Sequence, residues 1–313
     1  MKLNNILENK TDVIDNIKKQ LWEIHIEELP NKFIAMRPDF DISEDGTLNQ
    51  KSGTTDVIVK TINDKIRLFD DTGKFIVKFG TVVGLFSVSD LNMRSVKNFP
   101  HTFRNMKLER LLQLETFDLE IKSGLNIYIE QCGFTDLSNI KNTRSVSVAH
   151  CSNIHSFDKL PHNMLDEHQT LLLNSLSLTQ AKTNNNNIRN LALTNIKGIH
   201  NCKNLPSEMQ SLSIYYKSND FKSYIGIDEY KNLTHLGIYT HAINNIITLL
   251  LCKGLSYEKN GAKSITLDKI RFVTTPEVLI IMETYLKKSD KEEHIMDCAI
   301  ELIDAGYEEA AEL

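Results

Sequence analysis

The densest group of side chains able to do chemistry is His150-Cys151-Ser152-Asn153-Ile154-His155. Imidazoles and thiols are zinc donors, and a thiol beside an imidazole is the pair that a cysteine hydrolase uses. The position of the thiol argues for neither. Cys151 falls on an apolar position of a recurring pattern, where a thiol faces inward as a small hydrophobe. The remaining cysteines, Cys132, Cys202, Cys252 and Cys298, are scattered and form no C-x-x-C pair. Neither a zinc knuckle nor a disulfide framework is expected. His162 and His168, with Asp166 and Glu167, form a second group. They sit in an insert that suits an exposed polar loop better than a metal site. The asparagine run 184–187 is a polar insert of the same kind. The chain has no G-x-x-x-x-G-K, G-x-G-x-x-G, G-x-S-x-G or H-E-x-x-H motif. No catalytic residue, bound metal or cofactor is expected.

The positions around these residues repeat. The unit is apolar-x-apolar-x-x-apolar, as in Phe86-Val88-Leu91, Met106-Leu108-Leu111, Ile127-Ile129-Cys132 and Val146-Val148-Cys151. It continues at Leu171-Leu173-Leu176, Leu191-Leu193-Ile196, Leu212-Ile214, Leu236-Ile238 and Ile265-Leu267-Ile270. The spacings run 20, 21, 19, 25, 20, 21, 24 and 29 residues. Phe99-Pro100 and Leu205-Pro206 each stand six residues before the next strand start, and Leu160-Pro161 has a longer insert. Side chains two apart on a strand share a face, so each apolar pair points to one side and the third apolar residue closes the turn from inside. One such unit buries too little to offset the entropy of ordering it, so the units must stack.

On these residues, the stretch 83–272 resembles an irregular leucine-rich repeat. The L-P dipeptide before the strand and the cysteine at the turn resemble repeat proteins encoded by large tailed bacteriophages. The resemblance implies an α+β fold: a leucine-rich-repeat solenoid with a parallel β-sheet, a small α+β N-terminal cap region and a helical C-terminal cap. It also implies a cytoplasmic role during infection, with a host factor as partner. The asparagine usual in such repeats is mostly missing, and the last spacings are long.

Three regions follow: an N-terminal α+β cap region over 1–82, the solenoid over 83–272 and an acidic helical cap over 273–313. In the first, Val13, Ile17, Leu21 and Ile24 predict a helix over 11–27. The run from Asp41 to Asp56 reads as loop, and strands are predicted at Val57–Val59, Lys65–Phe69 and Lys74–Phe79. In the last, Thr275-Pro276 opens a helix carrying Val278, Leu279, Met282, Tyr285 and Leu286. Ser289-x-x-Glu292 matches a capping box, opening a second helix with Ile295, Cys298, Ala299 and Leu302 on one face and Gly306 at its end.

If the apolar pairs point inward, the residues before, between and after them form the outer face of the sheet. They include Asn126, Tyr128 and Glu130; Ser145, Ser147 and Ala149; and Asn190, Ala192 and Thr194. Ser211, Ser213 and Tyr215, then His235, Gly237 and Tyr239, complete the set. One column places Glu109 beside Glu130 and Tyr215 beside Tyr239. Tyr128, Glu130, Tyr215, His235 and Tyr239 are the candidate partner-binding residues, since aromatic side chains anchor interfaces well. Exposed rings on a sheet also pair with each other for stability, and both readings stand at this point.

The net charge of −5 conceals an uneven distribution. Asp290 to Leu313 holds nine acidic residues and one lysine, so that segment carries −8 and the other 289 residues +3. A nearly neutral body argues against nucleic acid as the partner. No apolar run is long enough to span a membrane, and the start of the chain lacks a signal-peptide pattern. The expectation is a non-enzymatic protein that binds another protein through the repeat surface, the caps or both. The alternative is an enzyme or enzyme regulator with its site in the N-terminal region or the His-rich inserts. Oligomeric state is not legible in the sequence.

Overall fold

The computed structural model describes residues 40–43, 47–50, 56–60, 72–74, 78–161, 164, 170–184, 187–215, 220–239, 243–252, 257–259, 265–267, 270–273 and 275–313. The helix expected over 11–27 and the strand over 65–69 lie outside these residues, as do His162, Asp166, Glu167 and His168. The chain divides into two compact units, Met1–Asn153 with Asn163–Leu165, and Ile154–His162 with Asp166–Leu313.

In the first unit the strands are β1 (Phe40–Ile42), β2 (Leu48–Gln50), β3 (Val57–Lys60), β4 (Phe79–Ser89), β5 (Thr102–Glu109), β6 (Ser123–Glu130) and β7 (Thr143–Ala149). Strands β3 to β7 pair in parallel, each with the next. Their register aligns Val57, Phe86, Met106, Ile127 and Val146 in one column and Val59, Val88, Leu108, Ile129 and Val148 in another. From β4 onward every member of both columns is buried, as the apolar spacing predicts. The ladder also extends upstream of residue 83, because β3 occupies the same register.

The segment Asp41–Asp56, expected to be loop, instead contains β2 and all of β1 but its first residue, and the two strands pair antiparallel. Phe40 and Ile42 alternate as on a strand, and Asp45-Gly46 is a hairpin-turn dipeptide, a signal outweighed by the polar residues around it. Gln50 is buried and has a definite task. The register of β4 slips between Val82 and Leu85. Gln50 Oε1 accepts from the amides of Val83 (2.7 Å) and Gly84 (3.3 Å), and Asp56 Oδ1 accepts from that of Leu85 (3.0 Å). Amides displaced from the ladder by the bulge thus keep partners.

Each coil turns a corner just after its strand, and there the backbone is left-handed. In the first unit Asp90, Arg110, Gln131 and His150 have φ of 58°, 53°, 52° and 53°. The amides of Asp90, Arg110 and Gln131 donate to the carbonyls of Glu109, Glu130 and Ala149 on the following strand. The next residue, Leu91, Leu111, Cys132 or Cys151, is buried beneath the corner. The return segments bring in Phe99, Phe117 and Phe134, all buried. Phe99 meets Phe86 edge-on with centroids 5.0 Å apart, and Phe117 lies 6.1 Å from Phe134.

In the second unit β8 (Thr170–Asn174), β9 (Asn190–Thr194), β10 (Ser211–Tyr215) and β11 (His235–Tyr239) are again parallel and in register. Corners at Ser175 and Asn195 repeat the left-handed conformation, with φ of 52° and 51°. Leu171, Leu173, Leu191, Leu193, Leu212, Ile214 and Leu236 are buried. Buried Tyr230 ties two return segments together, its hydroxyl donating to the Cys202 carbonyl and accepting from the Leu205 amide.

The last predicted strand is displaced. Next come β12 (Tyr257–Lys259), β13 (Ile265–Leu267) and β14 (Ile270–Val273). The strand lying parallel to β11 is β14, with Leu236 opposite Ile270 and Ile238 opposite Phe272. Ile265–Leu267 is antiparallel to β14 and starts a return to β12. Ile265-x-Leu267 and Ile270-x-Phe272 carry the same alternation, separated by two residues. The pattern therefore matches either arm of a tight hairpin.

Helix α1 (Pro276–Leu286) begins where Thr275-Pro276 predicts. It buries Val278, Leu279, Ile281, Met282, Tyr285 and Leu286. The expected capping box does not form: a 3₁₀ turn over Lys291–His294 precedes α2 (Ile295–Asp304), whose N-cap is His294. Cys298, Ala299 and Leu302 are buried as expected. Gly306, at φ 85°, ends the helix, and the Tyr307 amide reaches back to the Leu302 carbonyl at 2.8 Å. Parallel strands stacked one per coil make this a β-solenoid fold with a helical C-terminal cap. No helix among the described residues is long and apolar enough to cross a membrane.

Candidate functional site

The side chains that alternate with the buried pairs form the outer face of each sheet. In the first unit the columns are Asn105, Asn126 and Ser145; Lys107, Tyr128 and Ser147; and Glu109, Glu130 and Ala149. The Asn126 amide donates to Asn105 Oδ1 at 2.8 Å, so that column is a hydrogen-bonded ladder. Tyr128 stands between two small or flexible neighbours and is 42% exposed. Glu109 pairs with Lys107 at 2.6 Å and with Arg110. The hydrogen bond from Lys107 lowers the Glu109 carboxyl below its ordinary range, against a smaller burial effect, with Arg110 adding to the lowering. Arg110 also grips Asp90 through two bonds, 2.5 and 2.7 Å long.

In the second unit Tyr215 is 40% exposed at the end of β10, and its Cα lies opposite that of Tyr239. Ser211 lies opposite His235, which is exposed. Gly237, expected on the outer face between them, is buried. It has no side chain to project, so the column dips there. The Tyr239 side chain lies outside the described residues, although its backbone pairing is described. Tyr128 and Glu130 thus belong to the first unit's face, and Tyr215 and His235 to the second's, with Tyr239 placed by its backbone pairing alone.

The sequence signals do not reveal a second feature of the first unit. A cleft of about 600 Å³ is lined by the corner residues Asp90, Arg110, Gln131 and His150 and by Asn92, Leu112, Gly133 and Ser152. Leu112 is 72% exposed there. A Cβ on Gly133 would sit 2.1 Å from the Leu112 carbonyl oxygen, so the two coils approach too closely for any other residue. The signal that could have found the cleft is the column of polar residues two places beyond each strand pair.

The thiols are poorly suited to nucleophilic or metal chemistry. All five cysteines are buried. Cys132 donates to the carbonyls of Leu108 and Glu130 at 3.5 and 3.3 Å, and Cys151 to that of Ala149 at 3.3 Å. Burial pushes the Cys132 thiol up to about 12 and that of Cys151 up to about 11. A reactive thiolate needs the opposite shift. His150 is an exposed corner residue of the first unit, and His155 is an exposed residue of the second whose Nδ1 lies 3.3 Å from the Ser177 carbonyl. Among the described residues no three His, Cys, Asp or Glu side chains are grouped closely enough to hold a metal ion. Comparison of the chain with protein families, with curated proteins and with solved structures finds no match.

Proposed function

We propose that this is a non-catalytic binding protein whose outer sheet face engages a protein partner, with Tyr215 and Tyr239 as central anchors. Tyr128 and Glu130 provide a second contact region, and His235 flanks the tyrosine column. The observation carrying this proposal is the register that sets Tyr215 opposite Tyr239 on adjacent parallel strands, with Tyr215 40% exposed. Rings presented by a rigid sheet cost little entropy to dock and keep a polar tip for a hydrogen bond. Five buried, unlinked cysteines suit a reducing compartment, which supports a cytoplasmic place of action. The resemblance in repeat style to phage-encoded proteins, on the L-P dipeptides and turn cysteines, supports a host protein as the partner.

The test is affinity capture from host lysate with mass spectrometry, using wild type, Tyr215→Ala/Tyr239→Ala and Tyr128→Ala. A genuine partner is retained by wild type and loses affinity by about 2 kcal/mol or more in the double variant. Stability should change by about 1 kcal/mol or less per site, since only a cross-strand pair is removed. Normal capture by a double variant that unfolds far more easily would assign the rings to the scaffold and reject the proposal.

A further inference from the structure

Helix α2 has two apolar stripes, and among the described residues only one is covered. Cys298, Ala299 and Leu302 are buried; Cys298 Sγ meets Met282 Sδ at 3.7 Å, and Glu301 accepts from the Tyr285 hydroxyl at 2.8 Å. That stripe seats α2 on α1. On the other side Met296, Ile300 and Ile303 are 66%, 56% and 48% exposed. Their spacing of four and three residues places them along one line of the helix. A stable soluble helix needs one such stripe, and nothing in the packing of α1 and α2 uses the second. Methionine at one end of a contact line adapts to different partners.

The surroundings state what kind of occupant fits. Asp297 and Asp304 follow Met296 and Ile303 in sequence and are exposed beside them on the wheel, with exposed Glu293 a turn earlier and Glu308 and Glu309 just beyond. The only lysine of this segment, Lys291, is buried, and the His294 Nδ1 atom lies 3.1 Å from Asp297 Oδ2. The rim is therefore strongly negative. A second copy docking face to face would bring two such rims together, which like-charge repulsion opposes. We propose that Met296, Ile300 and Ile303 form a docking surface for a cationic amphipathic helix of a partner protein, its apolar stripe on theirs and its lysines or arginines over Asp297 and Asp304. This surface is separate from the tyrosine face and stands or falls without it.

The test titrates the full-length protein into three labelled synthetic 18-residue peptides and follows fluorescence anisotropy. The first peptide has a leucine stripe flanked by lysines. The second has the same composition scrambled to destroy the stripe, and the third has glutamates in place of the lysines. The stripe-and-lysine peptide should bind one to one, at least tenfold tighter than the scrambled peptide, and the glutamate peptide should not bind. Met296→Ser/Ile300→Ser/Ile303→Ser should weaken binding at least tenfold while leaving the melting temperature unchanged, because the replaced side chains are exposed. Asp297→Asn/Asp304→Asn, which leaves the stripe intact, should weaken binding and flatten its salt dependence. Equal binding of the scrambled peptide, or unaltered binding by either variant, would overturn the proposal. So would sedimentation showing a wild-type dimer that the triple variant loses, since a second copy would then be the occupant.

Discussion

Raising the pH from 8 to 10 loads the interior of the protein in a way that can be counted thiol by thiol. An unfolded thiol ionises around its ordinary value of 9.0, whereas burial lifts Cys132 and Cys252 to about 12, Cys151 to about 11 and Cys298 to about 12. Cys202, fully buried, moves further in the same direction. Above pH 9 the unfolded chain therefore releases protons that the folded chain retains, and stability falls as pH rises. At pH 10 each buried thiol should cost about 1.4 kcal/mol, one pH unit beyond its unfolded value. The first unit holds Cys132 and Cys151, for a loss of about 3 kcal/mol, and the second holds the other three, for about 4 kcal/mol. Losses of that size consume much of the stability of an ordinary domain. The assay is urea unfolding at fixed pH values from 8 to 10, in reductant, followed by circular dichroism. Cys132→Ala/Cys151→Ala lowers stability at every pH but should remove the part of the slope owed to the first unit. An identical pH slope in wild type and variant would refute the reasoning, because the thiols would then be open to solvent in the folded state.

Two further outcomes follow from local geometry. Gly198 has φ 81° and an added Cβ would lie 2.1 Å from the Leu178 carbonyl oxygen, so Gly198→Ala should destabilise by about 2 kcal/mol or more, seen as a lower urea midpoint. At acid pH the lowered carboxyl of Glu109 acts with the opposite sign to the thiols. Its contribution is complete above the ordinary value of 4.5 and is lost as pH falls toward the lower folded value. The stability gap between wild type and Glu109→Gln should narrow from pH 6 to pH 3, and a gap independent of pH would reject the Lys107 pairing as its cause.

What the sequence made legible is what the core enforces. Pairs such as Val146-Val148 and Leu191-Leu193 are readable because a one-residue slip would expose both side chains, so apolar types are required there. Cys132 and Cys151 were placed for the same reason. The corners were not readable. Asp90, Arg110, Gln131, His150, Ser175 and Asn195 share a backbone conformation and polarity but no single side-chain type, so no one residue announces it. The cleft beside those corners was hidden with them. The terminal coil was misplaced because Ile265-Leu267 and Ile270-Phe272 satisfy one pattern, and only long-range pairing with β11 separates them. Tyr128 and Tyr215 are exposed at the strand positions that alternate with the buried pairs, since facing follows directly from the alternation.

The left-handed corner has a consequence for how such a chain can change over generations. In a heptad or a long helix an inserted residue rotates everything after it, and the error propagates. Here the amides of Asp90, Arg110, Gln131, Ser175 and Asn195 are fastened to the following strand, as in Asn195 to the Tyr215 carbonyl, while the length of the return segment varies. Each corner works as a punctuation mark that restarts the count. A gained or lost residue between corners is absorbed within one coil, and the strands on either side keep their facing. The outer face can therefore be rewritten residue by residue, and the loops beside it lengthened, without disturbing the columns of buried side chains beneath.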